Sequence, residues 1–306
     1  LISAWLDAFV PVFGLLGLGA LLRQKLLRED AIWAGIEKLV FWVLLPSLIV
    51  NALSGMRMAD LPVGGLAAAI WGALLAGTAV SLLLARGLGA GHPAMTSILQ
   101  GGIRFNNLMG FAIGGAIWGA PGIALCAICT GLIVPMVQTI STVAFAMGAT
   151  GRIRLLRLLR QVLLNPLIIA CALGFALSLA GGLPAGLSPM VRALGQASVA
   201  LGLLCVGAAL TLRGLGDRPL VQGLTALLKL VLMPLATLGI AVAVGLGPLP
   251  TAICVMLMAL PTAATSYVMA RAMGGDAPLM ASITTSEHVL SVFTLPIWVW
   301  YLGSRV

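Results

Sequence analysis

Charge is scarce in this chain. Of its 306 residues only 8% are charged, and acids number 8 against 17 lysines and arginines. Soluble domains carry about a quarter of their residues as charge, so that class is excluded. No sequence of the Walker A type occurs, which argues against transport driven by ATP bound to this chain. The glycine-rich stretch GLGAG at 87–91 lacks the strand and helix context of a nucleotide fold. No repeated filter sequence suggests an ion channel. Short alternating strands with a polar inner face are missing too, which excludes a transmembrane β-barrel. Five cysteines (Cys126, Cys129, Cys171, Cys205, Cys254) all fall in apolar runs. Cys126 and Cys129 have a redox-like spacing but no Cys, His or acid beside them, and they read as small apolar helix residues. Neither a metal nor a cofactor is expected.

Long hydrophobic runs fill the space. Hydrophobic residues make up 61% of the chain, with a mean hydropathy of +1.14. Many runs approach the roughly 20 residues that span a hydrocarbon core. The fold expected is an all-α polytopic membrane protein. Ten spans can be drawn, at 5–22, 33–52, 62–85, 94–117, 121–146, 161–180, 190–212, 219–245, 250–272 and 278–302. The first reads as a retained helix, because a basic loop and further spans follow it.

Basic residues set the direction. Arg23, Lys25, Arg28, Arg86, Arg152, Arg154, Arg157, Arg160, Arg213, Arg218 and Arg271 fall on one side, against Arg57, Arg192 and Arg305 on the other. This bias places the first group in the cytoplasm and both termini outside. RIRLLRLLR at 152–160 reads as a topogenic loop meeting anionic lipid, and no nucleic-acid partner is expected.

A repeat is written in the interruptions. The fourth span contains IRFNNLMG (103–110) and the ninth LPTAATS (260–266), about 157 residues apart. The spans that follow them begin at Pro121 and Pro278. Residues 1–147 and 161–306 therefore read as two five-helix units joined by a basic cytoplasmic connection at 148–160. Five is odd, so the second unit crosses the bilayer in the opposite sense, a plan common among secondary transporters. Each interruption lies ~15 Å along its span, at the bilayer midplane. Pro261 removes an amide donor, while Gly101, Gly102 and Gly110 are expected to weaken the other helix. Unwound backbone at this depth belongs against protein or a polar cavity. Residues 104–110 are thus expected to line a substrate site where two broken helices cross.

Charges at mid-depth point the same way, since each costs ~2.5 kcal/mol or more if isolated. Arg104 has the planar fork that suits a carboxylate, and Asn106 and Asn107 offer donors and acceptors. Gln138 is a further candidate for the same cavity. Glu287 is the candidate for proton exchange, with His288 beside it; the competing reading is a static salt bridge to Lys229 or Arg104. Sodium coupling through Thr262, Ser266, Gln138 and loose carbonyls is the alternative transport reading. An intramembrane hydrolase built from Glu287, His288 and Ser286 or Ser291 is the remote one, and an enzyme is not expected.

IRFNNLMGFAI (103–113), NPLIIACALGFAL (165–177), ALPTAATSYVMARAMGGDAPLMASI (259–283) and LSVFTLPIWVW (290–300) resemble bacterial members of the auxin efflux carrier family. That family is related to the plant auxin carriers and distantly to sodium–bile acid symporters. The resemblance implies ten helices in two inverted repeats. It also implies a scaffold and a transport domain, each drawn from both repeats, with helices four and nine crossing. The implied activity is elevator-type transport of a small organic anion, a mono- or dicarboxylate such as an auxin-like, malate-like or malonate-like molecule. The implied setting is a homodimer in the bacterial inner membrane, surrounded by lipid. Carried over residue by residue, the crossover motif gives Arg104, Asn106, Asn107 and Gly110 on one side. On the other it gives Pro261, Thr262, Ser266 and Tyr267. Many bacterial relatives carry glutamine at Glu287 and a small polar residue at His288, so this chain adds a titratable acid beside the site.

Overall fold

The computed structural model describes residues 2–56, 62–148, 156, 159–160, 163–211 and 214–304. Arg57, Arg152, Arg154, Arg157, Arg213 and Arg305 lie outside the described residues, as does most of the 148–160 connection. Among the described residues all regular structure is helical. The helices are α1 (Ile2–Lys25), α2 (Asp30–Leu39), α3 (Leu45–Ser54), α4 (Val63–Gly87), α5 (His92–Ile103), α6 (Asn107–Ala146), α7 (Pro166–Leu179) and α8 (Ser188–Ala209). Then come α9 (Pro219–Leu227), α10 (Met233–Ala243), α11 (Pro248–Ala259), α12 (Thr265–Met273) and α13 (Ala277–Gly303).

Six helical stretches are long and apolar enough to cross a membrane: Leu6–Lys25, Asp30–Ser54, Val63–Gly87, His92–Ala146, Ser188–Ala209 and Pro219–Ala243. The chain is therefore a multi-pass α-helical membrane protein. Helix starts follow local chemistry. Proline stands at the first positions of α5, α7, α9, α10, α11 and α13, where its missing N–H costs nothing. Asn165 caps α7 by accepting from Leu167 N at 2.9 Å, and Asp276 caps α13 by accepting from Leu279 N at 3.1 Å. Two features lay beyond sequence expectation. Single π-helical turns, Val40–Leu44 and Leu228–Leu232, join α2 to α3 and α9 to α10. A π turn inserts one extra residue and re-aims the side chains after it.

Two compact units emerge, and each collects segments from both halves of the chain. The first comprises Leu1–Pro62, Leu108–Gly131 and Gln161–Ala209. In it α1 packs on α8, and α3 packs on α7 and α8. Backbones touch where side chains are missing. A Cβ at Gly19 would collide with the carbonyl of Leu204, and one at Gly207 with that of Leu16. Such small-residue contacts bring membrane helices together where lipid leaves no hydrophobic drive. Within the same unit α6 is kinked at Gly119 (φ 60°, ψ −146°), an angle pair that glycine adopts without steric cost.

The second unit comprises Val63–Asn107, Leu132–Arg160 and Leu210–Val306. Here α4 packs on α5 and α10, α10 on α11, and α13 touches α5, α9, α11 and α12. Phe145, Ala270, Leu279, Met280 and Ile283 form one of its apolar clusters. The starts of α5 and α13 are tied together: Asp276 N donates to Pro93 O at 3.1 Å, and Ser97 Oγ donates to Asp276 O at 2.9 Å. The half-helices that precede the two interruptions, α5 and α11, belong to this unit. The last eight residues of α5 (Thr96–Ile103) and of α11 (Ala252–Ala259) are all buried, so each half-helix ends inside protein.

Candidate functional site

The two half-helices end in the same way. Arg104 closes α5 with extended backbone (φ −78°, ψ 161°), and Leu260 closes α11 likewise (φ −68°, ψ 146°). For Leu260 the cause is Pro261, whose ring disfavours helical backbone in the residue before it. The breaks meet directly: Asn106 N donates to Pro261 O at 2.9 Å. An amide and a carbonyl released by the two interruptions thus satisfy each other, as buried backbone must.

The first break is shorter than the sequence suggests. Non-helical backbone covers residues 104–106, and α6 has begun at Asn107. Asn107 through Gly110 are helical. The glycine pair before the break has a different purpose from weakening the helix. Gly101 and Gly102 are helical, and they let neighbours press against the backbone. A Cβ at Gly101 would lie 2.7 Å from Thr225 Cγ2, 2.7 Å from Ile283 Cγ2 and 3.3 Å from Glu287 Oε1. One at Gly102 would run into Ser81 Oγ and lie 3.0 Å from Leu228 Cδ2. Packing, not unwinding, requires these glycines.

Arg104 turns toward the second break. Its Nη2 donates to Thr265 Oγ1 at 2.9 Å and its Nη1 to Met269 Sδ at 3.4 Å, which sets the guanidinium at the N-terminus of α12. Its Nε is buried and has no protein partner. A guanidinium and the positive pole of a helix N-terminus both favour a negative ligand. Thr265 is exposed and Arg104 half-buried.

Glu287 and His288 are both buried, and each holds one break. Glu287 Oε2 accepts from Thr262 N at 2.8 Å. His288 places Nδ1 2.7 Å from Thr284 O, so that nitrogen carries the proton; Nε2 then accepts from Asn106 Nδ2 at 3.2 Å. Thr262 Oγ1 donates to Gln100 O at 3.2 Å and lies 3.3 Å from Ser266 Oγ. The structure therefore brings together Arg104, Asn106, Pro261, Thr262, Ser266, Glu287 and His288. Lys229, in the second π turn, is fully buried in the same unit.

Tyr267 is on α12 but 37% exposed. Gln138 is half-buried in the Leu132–Arg160 segment of the second unit. Gly110 belongs to the first unit, where its carbonyl accepts from Cys126 Sγ at 3.5 Å. Asn107 opens α6 and is half-buried.

A static salt bridge to Glu287 is not formed: neither Lys229 nor Arg104 comes within 4.0 Å of it, and the ion pairs among the described residues are Arg23–Asp30 and Arg218–Asp276. The hydrolase geometry is also not formed. Ser286 Oγ donates to Ile283 O and Ser291 Oγ to His288 O, while both imidazole nitrogens face other groups. A nucleophilic serine needs a base nitrogen. All five cysteines are buried and none is in a disulfide.

Two participants escaped the sequence reading, Gln100 and Ser81. The Gln100 amide is buried without a protein partner, as is Ser81 Oγ, which lies beside Gly102. The only signal was a glutamine directly before two glycines in an apolar run.

The family model described as membrane transport protein matches residues 5–299. No curated protein matches the chain.

Proposed function

The chain belongs to the membrane transport protein family, and from that premise we propose that it is a secondary active carrier of a small organic anion. One observation carries the reading. Two helix breaks are bonded to each other inside one unit, with a half-buried arginine held at the N-terminus of the half-helix that follows. Discontinuous helices crossing near the midplane are how many secondary carriers expose backbone groups to a solute.

In this reading a mono- or dicarboxylate, of auxin-like or malate- and malonate-like chemistry, binds at Arg104, by the positive pole of α12. Asn106, Thr262 and Ser266 supply nearby hydrogen-bonding groups. Glu287 exchanges one proton with the cycle, so that a monocarboxylate crosses without net charge. The ten spans form two inverted five-helix repeats. The unit that contains both breaks moves as the transport domain, and the other serves as scaffold, in an elevator-type cycle. The bacterial inner membrane, outward-facing termini and a homodimer complete the proposal. The two units each draw segments from both halves of the chain, which supports this division of labour.

The test is ligand-dependent melting of purified protein over a series of small mono- and dicarboxylates. Uptake of the hits into proteoliposomes follows, with proton and sodium gradients imposed separately. Carboxylates should raise the melting temperature of wild type and leave Arg104→Ala unmoved. Equal shifts in both proteins would reject the site.

A further inference from the structure

Arg104 brings a permanent charge to the first break, yet it forms no ion pair among the described residues. The groups that receive its donors are neutral: Thr265 Oγ1 at 2.9 Å and Met269 Sδ at 3.4 Å. Thr265 and Met269 stand four residues apart on α12, so they occupy adjoining turns of one helix face. The guanidinium spans both turns, while its buried Nε has no protein partner.

The sulfur is the unusual member of this pair. A thioether is a weak acceptor, at ease in apolar surroundings without any donor. A carboxylate or amide oxygen at the same place would grip the guanidinium more firmly. Left without its donor, that oxygen would also be costly, because Met269 is half-buried and water reaches the position incompletely. The sulfur loses little when the guanidinium leaves it. Thr265 is exposed, so water can take the guanidinium's place at its hydroxyl. Both acceptors are ones that Arg104 can leave.

We propose that Met269 is a positioning residue for anion capture: its sulfur holds the Arg104 fork in the empty protein and yields it to an incoming carboxylate. The inference rests on the carrier reading and deepens it, since it names a residue that sets how tightly the anion is held. On binding, Nη1 exchanges the sulfur for a carboxylate oxygen, and the thioether needs no new donor. Thr265 continues to orient the fork through Nη2 until the anion or water replaces it. The strength of the acceptor at position 269 therefore trades against affinity for the anion.

The test grades that acceptor. Met269→Leu removes it at similar volume, Met269→Gln strengthens it, and Met269→Glu supplies a permanent counter-ion. Each purified, ligand-free protein is treated with phenylglyoxal, an uncharged dicarbonyl that attacks free guanidino groups. Labelling of Arg104 is followed by peptide mass spectrometry, with the exposed Arg192 as internal reference. Labelling should be fastest in Met269→Leu, slower in Met269→Gln, and roughly tenfold slower in Met269→Glu than in wild type. Loosened packing would speed labelling, so slowing identifies the acceptor and not disorder. Affinity for malonate and for phenylacetate, measured by isothermal titration, should follow the same order. Met269→Gln should bind roughly tenfold more weakly than Met269→Leu, and Met269→Glu should not bind. Labelling or affinity in Met269→Gln equal to or above that in Met269→Leu overturns the proposal. If Met269→Glu does not fold, the comparison of Leu with Gln decides. A wild type that binds neither carboxylate counts against the carrier reading, and the labelling order then decides the role of Met269 by itself.

Discussion

Glu287 and His288 are neighbours on α13, yet each secures a different break of the crossover: the carboxylate takes the amide of Thr262, and the imidazole takes the side-chain amide of Asn106. Successive helical residues point about 100° apart. The two breaks lie against adjoining sectors of one helix, so a single dipeptide can hold both.

Replacing Arg104 by Ala should abolish carboxylate-dependent melting shifts. Arg104→Lys should keep part of the response, because an ammonium is a point charge without the planar fork. A charge-assisted contact of about 1.5–3 kcal/mol corresponds to a loss of roughly ten- to a hundredfold in affinity. Isothermal titration with the best carboxylate measures it.

His288→Phe should destabilise the protein by about 1–3 kcal/mol, by leaving Asn106 Nδ2 without its acceptor inside the unit. Asn106→Ala in that background should cost less than it does alone, since the two groups share one contact. Denaturation of the single and double variants in detergent gives the coupling.

Gly102→Ala should cost about 1–3 kcal/mol, because the new methyl meets Ser81 Oγ. Ser81→Ala removes that oxygen and should return part of the loss. Leu228 Cδ2, 3.0 Å from the same methyl, keeps the rescue incomplete. Thermal melting of the two single variants and the double checks this.

Asp276→Ala should destabilise by about 1–2 kcal/mol, since it removes the cap of α13 together with the Arg218 ion pair. Arg218→Ala should cost under about 1 kcal/mol, because that pair is partly exposed. Raising the salt concentration should narrow both gaps by about the same amount, since both variants lack the ion pair, and leave the capping part of the Asp276→Ala deficit. Melting at two ionic strengths distinguishes the contributions.

Glu287→Gln should keep the bond from Thr262 N, accepted by the amide oxygen, and so melt near wild type. Substrate-driven proton flux into proteoliposomes should be lost. Flux persisting at wild-type stoichiometry removes Glu287 from coupling.

Much of this site was legible in the chain because the membrane makes irregularity conspicuous. Pro261 forces Leu260 out of helical backbone wherever it lies, and a charge among apolar residues, such as Arg104 or Glu287, needs a partner or a polar surrounding. The extent of the first break was not legible: Asn107 resumes the helix because α6 follows at once, and no proline marks the boundary. Gly101 and Gly102 read as weak helix formers, but in place they are contact surfaces, and only the positions of Thr225, Ser81 and Ile283 reveal it. The partnerless Gln100 amide carried no signal of its own.

The sequence by itself determined the solvent, the helical class and the location of the interruptions. Hydrophobic length and proline chemistry act locally, and neither depends on what packs nearby. Tertiary structure alone decided that the two breaks bond to each other, that Glu287 and His288 divide them, and that Lys229 is fully buried yet forms no salt bridge with Glu287. Those relationships depend on how helices distant in sequence are rotated about their axes. A π turn or one close glycine contact resets that rotation, and no periodicity in a single chain records it.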